Sequence, residues 1–345
     1  RADEAKAIQT IIDTFKGYKQ SEILDETVWN TIKSDIKDAE ALVADETSLS
    51  KDIKALRKQM ESYNATVTEE IDRTATRNGL KESIDYCKSL KEGDYSNKDT
   101  FAKLADAITT AEKAYTNVSD TRLNYKAARD TLEKVRVALT KNVSTESSNP
   151  KTFRILDKKT VIKEMGAGIN LGNTMDGGLY DSSETGWQAY KTTKDYIKAL
   201  HDAGYNTVRI PVTWGSHIND DYTIDEAWIN RVQEIVDYCV DQDMYAIVNI
   251  HHDGAANHDD RGNNTPACWL DTYSQNIEKV YQKYEGVWNT IANRFKDYDE
   301  HVIFESMNEV TDAHGTATNE DDAVLNALNQ LFINTVRATG SNNTK

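Results

Sequence analysis

The sequence predicts two regions of different class: all-α over residues 1–142, built as two three-helix bundles, then α/β over residues 152–345. Three observations carry this. From Arg1 to about Asn142 there is no proline and almost no glycine, and apolar residues recur at spacings of three and four, the signature of amphipathic helix. The same region matches itself at an offset of 72, which marks an internal repeat. After residue 151 the rhythm changes to short apolar runs alternating with amphipathic stretches, the pattern of β/α units.

In the helical region, Ile8, Ile11, Ile12 and Phe15 form one apolar stripe and Trp29, Ile32, Ile36 and Ala39 another. The offset pairs Ile8 with Leu80, Ile12 with Ile84, Trp29 with Phe101, Ile32 with Leu104, Ile36 with Ile108 and Met60 with Leu132. Breaks fall at 18–26 and 44–48 in the first copy and at 93–97 and 117–119 in the second. Between Ser50 and Leu90 only Gly79 interrupts, so one helix is expected to run from the first copy into the second. The expected boundaries are 1–72 and 73–142. Residues 143–151, with Ser144, Ser147, Ser148 and Pro150, are a composition break expected to be the linker.

In the α/β region, Ala167 to Asn173 is the first expected strand and Thr192 to Gly204 the first helix. Thr207 to Trp214 is the second strand. Asp225 to Asp243 is the next helix, with Asp225 a candidate N-cap. Tyr245 to His252 and Val302 to Glu309 are the third and fourth strands, followed by helices at 274–297 and 322–340. Four such units in series imply parallel strands with covering helices. Each expected strand finishes in polar or aromatic groups: Asn170 and Asn173; Arg209 and Trp214; His251, His252 and Asp253; Asn308 and Glu309. Polar groups gathered at carboxyl ends fit the active face of a (β/α)₈ barrel, of which about four units are present. Gly166-Ala167-Gly168 precedes a strand, so it is not a phosphate loop.

The net charge of −16 argues against nucleic acid or an anionic membrane as partner. It is unevenly placed: residues 1–150 carry 24 basic and 27 acidic side chains, residues 151–345 carry 17 and 30. A neutral polymer meets no such penalty. No run approaches the roughly 18 apolar residues of a membrane span. Cys87, Cys239 and Cys268 have no metal spacing and form no disulfide framework. His251 and His252 with His258-Asp259-Asp260 nearby offer possible metal donors, but alternation along a strand would send adjacent rings to opposite faces; no metal is expected. Trp187, Trp214, Trp269 and Tyr180 are candidate platforms for sugar rings, each equally a packing residue.

Four ordered motifs, Gly168-Ile169-Asn170-Leu171-Gly172-Asn173-Thr174, Arg209 to Trp214, Asn249-Ile250-His251-His252 and Phe304 to Glu309, together resemble glycoside hydrolase family 5, over about residues 152–345. The resemblance implies a TIM barrel and a retaining endo-β-1,4-glycanase, first of all an endoglucanase (cellulase). It makes Glu309 the general acid/base and Asn308 the ligand of the sugar 2-hydroxyl. Arg209 would orient the carboxylates, and His251, with His252 beside it, would line the subsite next to the scissile bond. Asn170 and Trp214 complete the expected substrate-binding set. Asp253 departs from the Glu of many relatives. Arg209 has an architectural reading too: a pair with Glu305 would satisfy it. The helical units resemble FIVAR-type three-helix modules, read as a spacer or as an arm touching cell surface or glycan.

Retaining hydrolysis needs a second carboxyl about 5–5.5 Å from the first. The family places it at the end of a seventh strand, which is not in this sequence. The remaining units are therefore expected on a second chain or segment completing the barrel. Neither metal nor cofactor is expected, and a secreted or cell-surface bacterial protein is. The alternatives are a non-catalytic carbohydrate-binding surface protein, or a xyloglucanase, mannanase or xylanase of the same family.

Overall fold

The computed structural model describes residues 1–144, 149–178, 183–254, 268–272, 276–310 and 319–345. Tyr180, Ser147, Ser148 and the His258-Asp259-Asp260 run lie outside them. Contacts divide the chain into two compact units, 1–88 with 106–132, and 89–105 with 133–345. This division falls elsewhere than at 72 and 142.

In the first unit, α1 (Ala2–Gly17), α2 (Glu26–Ala44) and α3 (Ser50–Ser89) turn their apolar stripes inward. Ile8, Ile12, Phe15, Ile32, Ile53 and Met60 are buried together. The helix expected between Ser50 and Leu90 is indeed continuous, 40 residues long. Asp25 caps α2 by accepting from the backbone N–H of Thr27 at 2.7 Å. Buried Glu70 accepts from the N–H groups of Leu24 and Asp25 and from Nε and Nη2 of Arg73, so the chain entry to α2 is fixed by a carboxylate 45 residues away in sequence. α4 (Lys98–Thr116) and α5 (Arg122–Val137) follow. Each begins or ends in the second unit.

The second unit holds α6 (Lys158–Met165), β1 (Ala167–Asn170), α7 (Lys194–Asp202), β2 (Tyr205–Ile210), α8 (Glu226–Val240), β3 (Tyr245–Asn249), α9 (Ile277–Phe295), β4 (Val302–Glu305) and α10 (Asn319–Ala338). The strands form one parallel sheet in the order β1-β2-β3-β4. Order without reversal winds in one direction, as in a barrel, whereas a doubly wound sheet reverses at a switch point. Asp225 caps α8 as expected, accepting from Trp228 N–H at 2.9 Å. Val208, Ile210, Ala246 and Val248 of the sheet pack with Ile229, Val232, Trp288 and Ile291 of the helices.

The strands are shorter than expected, ending at Asn170, Ile210, Asn249 and Glu305. Pro211 lacks the N–H that would extend β2. Beyond the strands the loops brace one another instead: Leu171 N–H donates to Arg209 O, His251 N–H to Val212 O and Leu270 N–H to Asp253 O, each at 2.8 Å.

Residues expected to be linker are anchored where described: Ser144 N–H donates to Ala338 O and Lys151 N–H to Asp297 O, both at 2.8 Å. The last turn of α5 likewise belongs here. Arg136 bridges buried Glu278 and Glu285 of α9 at 3.1 and 2.9 Å, and Val137 joins the core. No helix among the described residues is long and apolar enough to cross a membrane.

Candidate active site

At the carboxyl ends of the strands one residue from each of β1, β2 and β4 meets in a single network. Arg209 of β2 forms a two-pronged pair with Glu305 of β4, at 2.7 and 2.6 Å. The same guanidinium donates to Asn170 Oδ1 at the end of β1, at 2.9 Å, and to Asn308 Oδ1, at 3.0 Å. The fork geometry of Arg suits this bidentate grip on a carboxylate, leaving Nη1 for Asn170 and the remaining N–H of Nη2 for Asn308. Burial alone would push Glu305 up, but the hydrogen bonds and charge of Arg209 outweigh it and hold the carboxyl below its usual range. The architectural partner foreseen for Arg209 is therefore present, and Arg209 also holds Asn308.

Glu309 lies four residues past the end of β4. Its backbone is left-handed at φ 45°, uncommon for a residue with a side chain and typical of functional turns. The approach to it is pinned from behind, because Tyr284 Oη and Trp288 Nε1 of α9 both donate to Ser306 O at 3.0 and 3.1 Å. Glu309 itself is exposed. Its charge supports the raised pKa of Arg209, whose main cause is the pair with Glu305.

The histidines correct the expectation of opposite faces. β3 stops at Asn249, so strand alternation no longer governs His251 and His252. Their rings lie 4.4 Å apart, and both face Asp176, His251 Nε2 at 3.9 Å and His252 Nε2 at 3.6 Å from its Oδ2. Asp176 sits in a tight turn after β1, where its Oδ1 accepts from Thr174 N–H at 2.9 Å. A Cβ on the neighbouring Gly177 would come 2.8 Å from Ser183 O, so the turn needs that glycine. Burial opposes the charge of Asp176, but the His252 ring and the N–H groups of Asn173 and Thr174 win, and its pKa is lowered. Burial and the neighbouring His252 push His251 down to about 4.

Asp176, His251 and His252 offer ligand atoms within 4.8 Å of one another, a spacing open to a borderline metal. Asn249 Nδ2, however, lies 3.1 Å from His251 Nδ1. An amide nitrogen only donates, so this contact is a hydrogen bond in the tautomer whose Nδ1 accepts and whose proton is on Nε2, the atom a metal would need bare.

Trp214 is also corrected. It is fully buried, donating Nε1–H to Asn249 O at 2.9 Å, and cannot present a face to a sugar. Its backbone N–H and the Trp269 Nε1–H both reach the fully buried Asp253 carboxylate, whose pKa burial pushes up to about 7. Trp187 stays 45% exposed and sets its edge against the His252 ring at 5.4 Å. Its loop is held by buried Glu184, which accepts from Arg231 and from Thr192 N–H. Asn249 opens one of the four motifs, but the sequence assigns it no role because it reads as one more polar residue in a strand. The signal was its place two residues before the histidine pair.

A parallel β/α domain that pools an Arg–carboxylate pair, two amides, a histidine pair and an exposed Glu at its strand ends has the layout of a barrel-type enzyme. The profile of cellulase (glycosyl hydrolase family 5) matches residues 144–344, and the chain belongs to that family. It is 43% identical over 194 residues to the cellulase/esterase CelE of Acetivibrio thermocellus, covering 54% of this chain and 22% of that protein. Over 209 residues it is 41% identical to endoglucanase B of Clostridium cellulovorans, covering 58% and 44%. Among solved structures, a family 5 enzyme from Prevotella bryantii crystallised with a xyloglucan tetradecasaccharide superposes with a TM-score of 0.51 and 35% identity, covering 56% of each chain. The chain thus spans about half or less of the length of these relatives.

Proposed function

We propose that this chain supplies the acid/base half of a retaining endo-β-1,4-glucanase, with Glu309 protonating the departing sugar oxygen. The observation that carries the reading is the hold of Arg209 on Glu305, Asn170 and Asn308, which sets Asn308 beside an exposed, backbone-strained Glu309. Asn308 then binds the 2-hydroxyl, and His251 and His252 line the sugar site with Trp187 at its margin. The substrate is a β-1,4-glucan or xyloglucan. The Prevotella bryantii enzyme's xyloglucan ligand supports this class.

The second carboxyl comes from further β/α units, on another segment or chain, that pair with the edges of β1 and β4 left free among the described residues. A groove of about 320 Å³ beside β4, lined by Phe153, Phe304, Phe332 and Val336, supports such a covering layer. The helical region is a pair of FIVAR-like repeats serving as a spacer in a secreted or cell-surface bacterial enzyme. Reducing-sugar release from soluble β-glucan by the enzyme with both carboxyls in place tests the reading. Glu309→Ala is expected to lose about 10²–10⁴-fold, the usual share of a general acid; unchanged release would overturn it in favour of a carbohydrate-binding protein.

A further inference from the structure

Asn249 has no part in the function proposed above, yet it is fully buried and uses both ends of its amide. Its Oδ1 accepts from Val212 N–H at 3.2 Å, which fixes the orientation, because a backbone N–H cannot face the NH₂ group. The Nδ2 group then points at two acceptors, Glu305 Oε1 at 3.3 Å and His251 Nδ1 at 3.1 Å. Turning the amide over would set donor against donor at Val212 and take a donor from Glu305.

We propose that Asn249 is a positioning residue that locks the proton of His251 on Nε2, pairing that N–H with the Asp176 carboxylate as a joint receptor for one ligand hydroxyl. The gap from Nε2 to Asp176 Oδ2 is 3.9 Å, too long for a direct hydrogen bond. A hydroxyl both accepts and donates, so it takes the N–H and gives its own hydrogen to the carboxylate. Ether or deoxy positions cannot do both. The ring is thereby a donor to substrate and neither a base nor a metal ligand. Asn249 also touches Glu305, so one amide couples the histidine to the Arg209 network.

The hydroxyl role rests on the function proposed above, whereas the proton lock does not. The test is therefore ¹⁵N NMR of the histidine side chains in the full chain, with His251→Gln identifying the signal. The expected wild-type spectrum at pH 6.5 is a neutral ring protonated on Nε2. In Asn249→Asp a carboxylate replaces the donor, and the proton is expected to move to Nδ1 or the ring to titrate at higher pH. A wild-type ring protonated on Nδ1, or on both nitrogens, overturns the proposal even if the variant does not fold. So does an Asn249→Asp spectrum identical to wild type. In the active enzyme Asn249→Asp is expected to raise KM about tenfold with a smaller change in kcat. An unchanged KM beside a shifted proton would sink the hydroxyl role and leave the lock standing.

Discussion

The two compact units bury charge in different ways. In the first, ion pairs are mostly exposed and local: Lys81 with Asp85 and Lys126 with Asp130 sit one helical turn apart, and the core is apolar. Glu70, holding Leu24, Asp25 and Arg73, is an exception. In the second, charged groups are gathered from far apart in the sequence. Arg209 reaches Asn308 across 99 positions, and Arg136 reaches Glu285 across 149. Local pairs decorate a fold that its apolar stripes already specify, whereas long-range buried pairs exist only when the fold is complete. Function concentrates where the second kind lies.

The largest expected effect is at Arg136. Removing one partner of a buried pair leaves the other charge uncompensated, so Arg136→Met is expected to cost about 3–5 kcal/mol, read as a fall in urea midpoint. Lys81→Ala in the first unit is expected to leave the midpoint unmoved. Equal effects would erase the contrast. Deleting residues 1–142 should likewise destabilise the β/α unit, because the cut removes Arg136 and Val137; an unchanged midpoint would show that the helical region ends at a true linker.

A smaller effect separates the units by pH. The His251 pKa is lowered to about 4, so between the ordinary histidine value near 6.5 and about 4 the unfolded chain binds the extra proton. Stability is then full above about 6.5 and falls as pH drops through that window, by roughly 2–3 kcal/mol. Glu305, also lowered by Arg209 once burial is overcome, adds a further loss below the ordinary Glu value. His251→Gln should flatten the first part of the profile, measured by denaturation at stepped pH. A profile as steep as wild type would contradict the burial of that ring.

The sequence made much of this legible because periodicity reports packing. The helix breaks, the 40-residue α3 and the Asp225 cap follow from local patterns that tertiary contacts did not override. The four strands were visible too, but not their ends: Pro211 and the braced loops shortened them. That is why His251 and His252 converge when alternation would part them. Trp214 showed the limit of composition, since nothing local distinguishes a buried indole from a sugar platform. Arg136 was invisible as an anchor for the same reason, its partners lying more than 140 residues away.

The most direct test of the acid role of Glu309 varies the leaving group. In the enzyme with both carboxyls, Glu309→Gln is compared with wild type on β-cellobiosides bearing a strongly acidic and a weakly acidic phenol. A leaving group that needs no proton should be released from the enzyme at a near wild-type rate in the first step, while the weakly acidic one slows by about 10²–10⁴-fold. Equal slowing on both substrates would contradict the assignment of Glu309 as the residue that protonates the departing sugar.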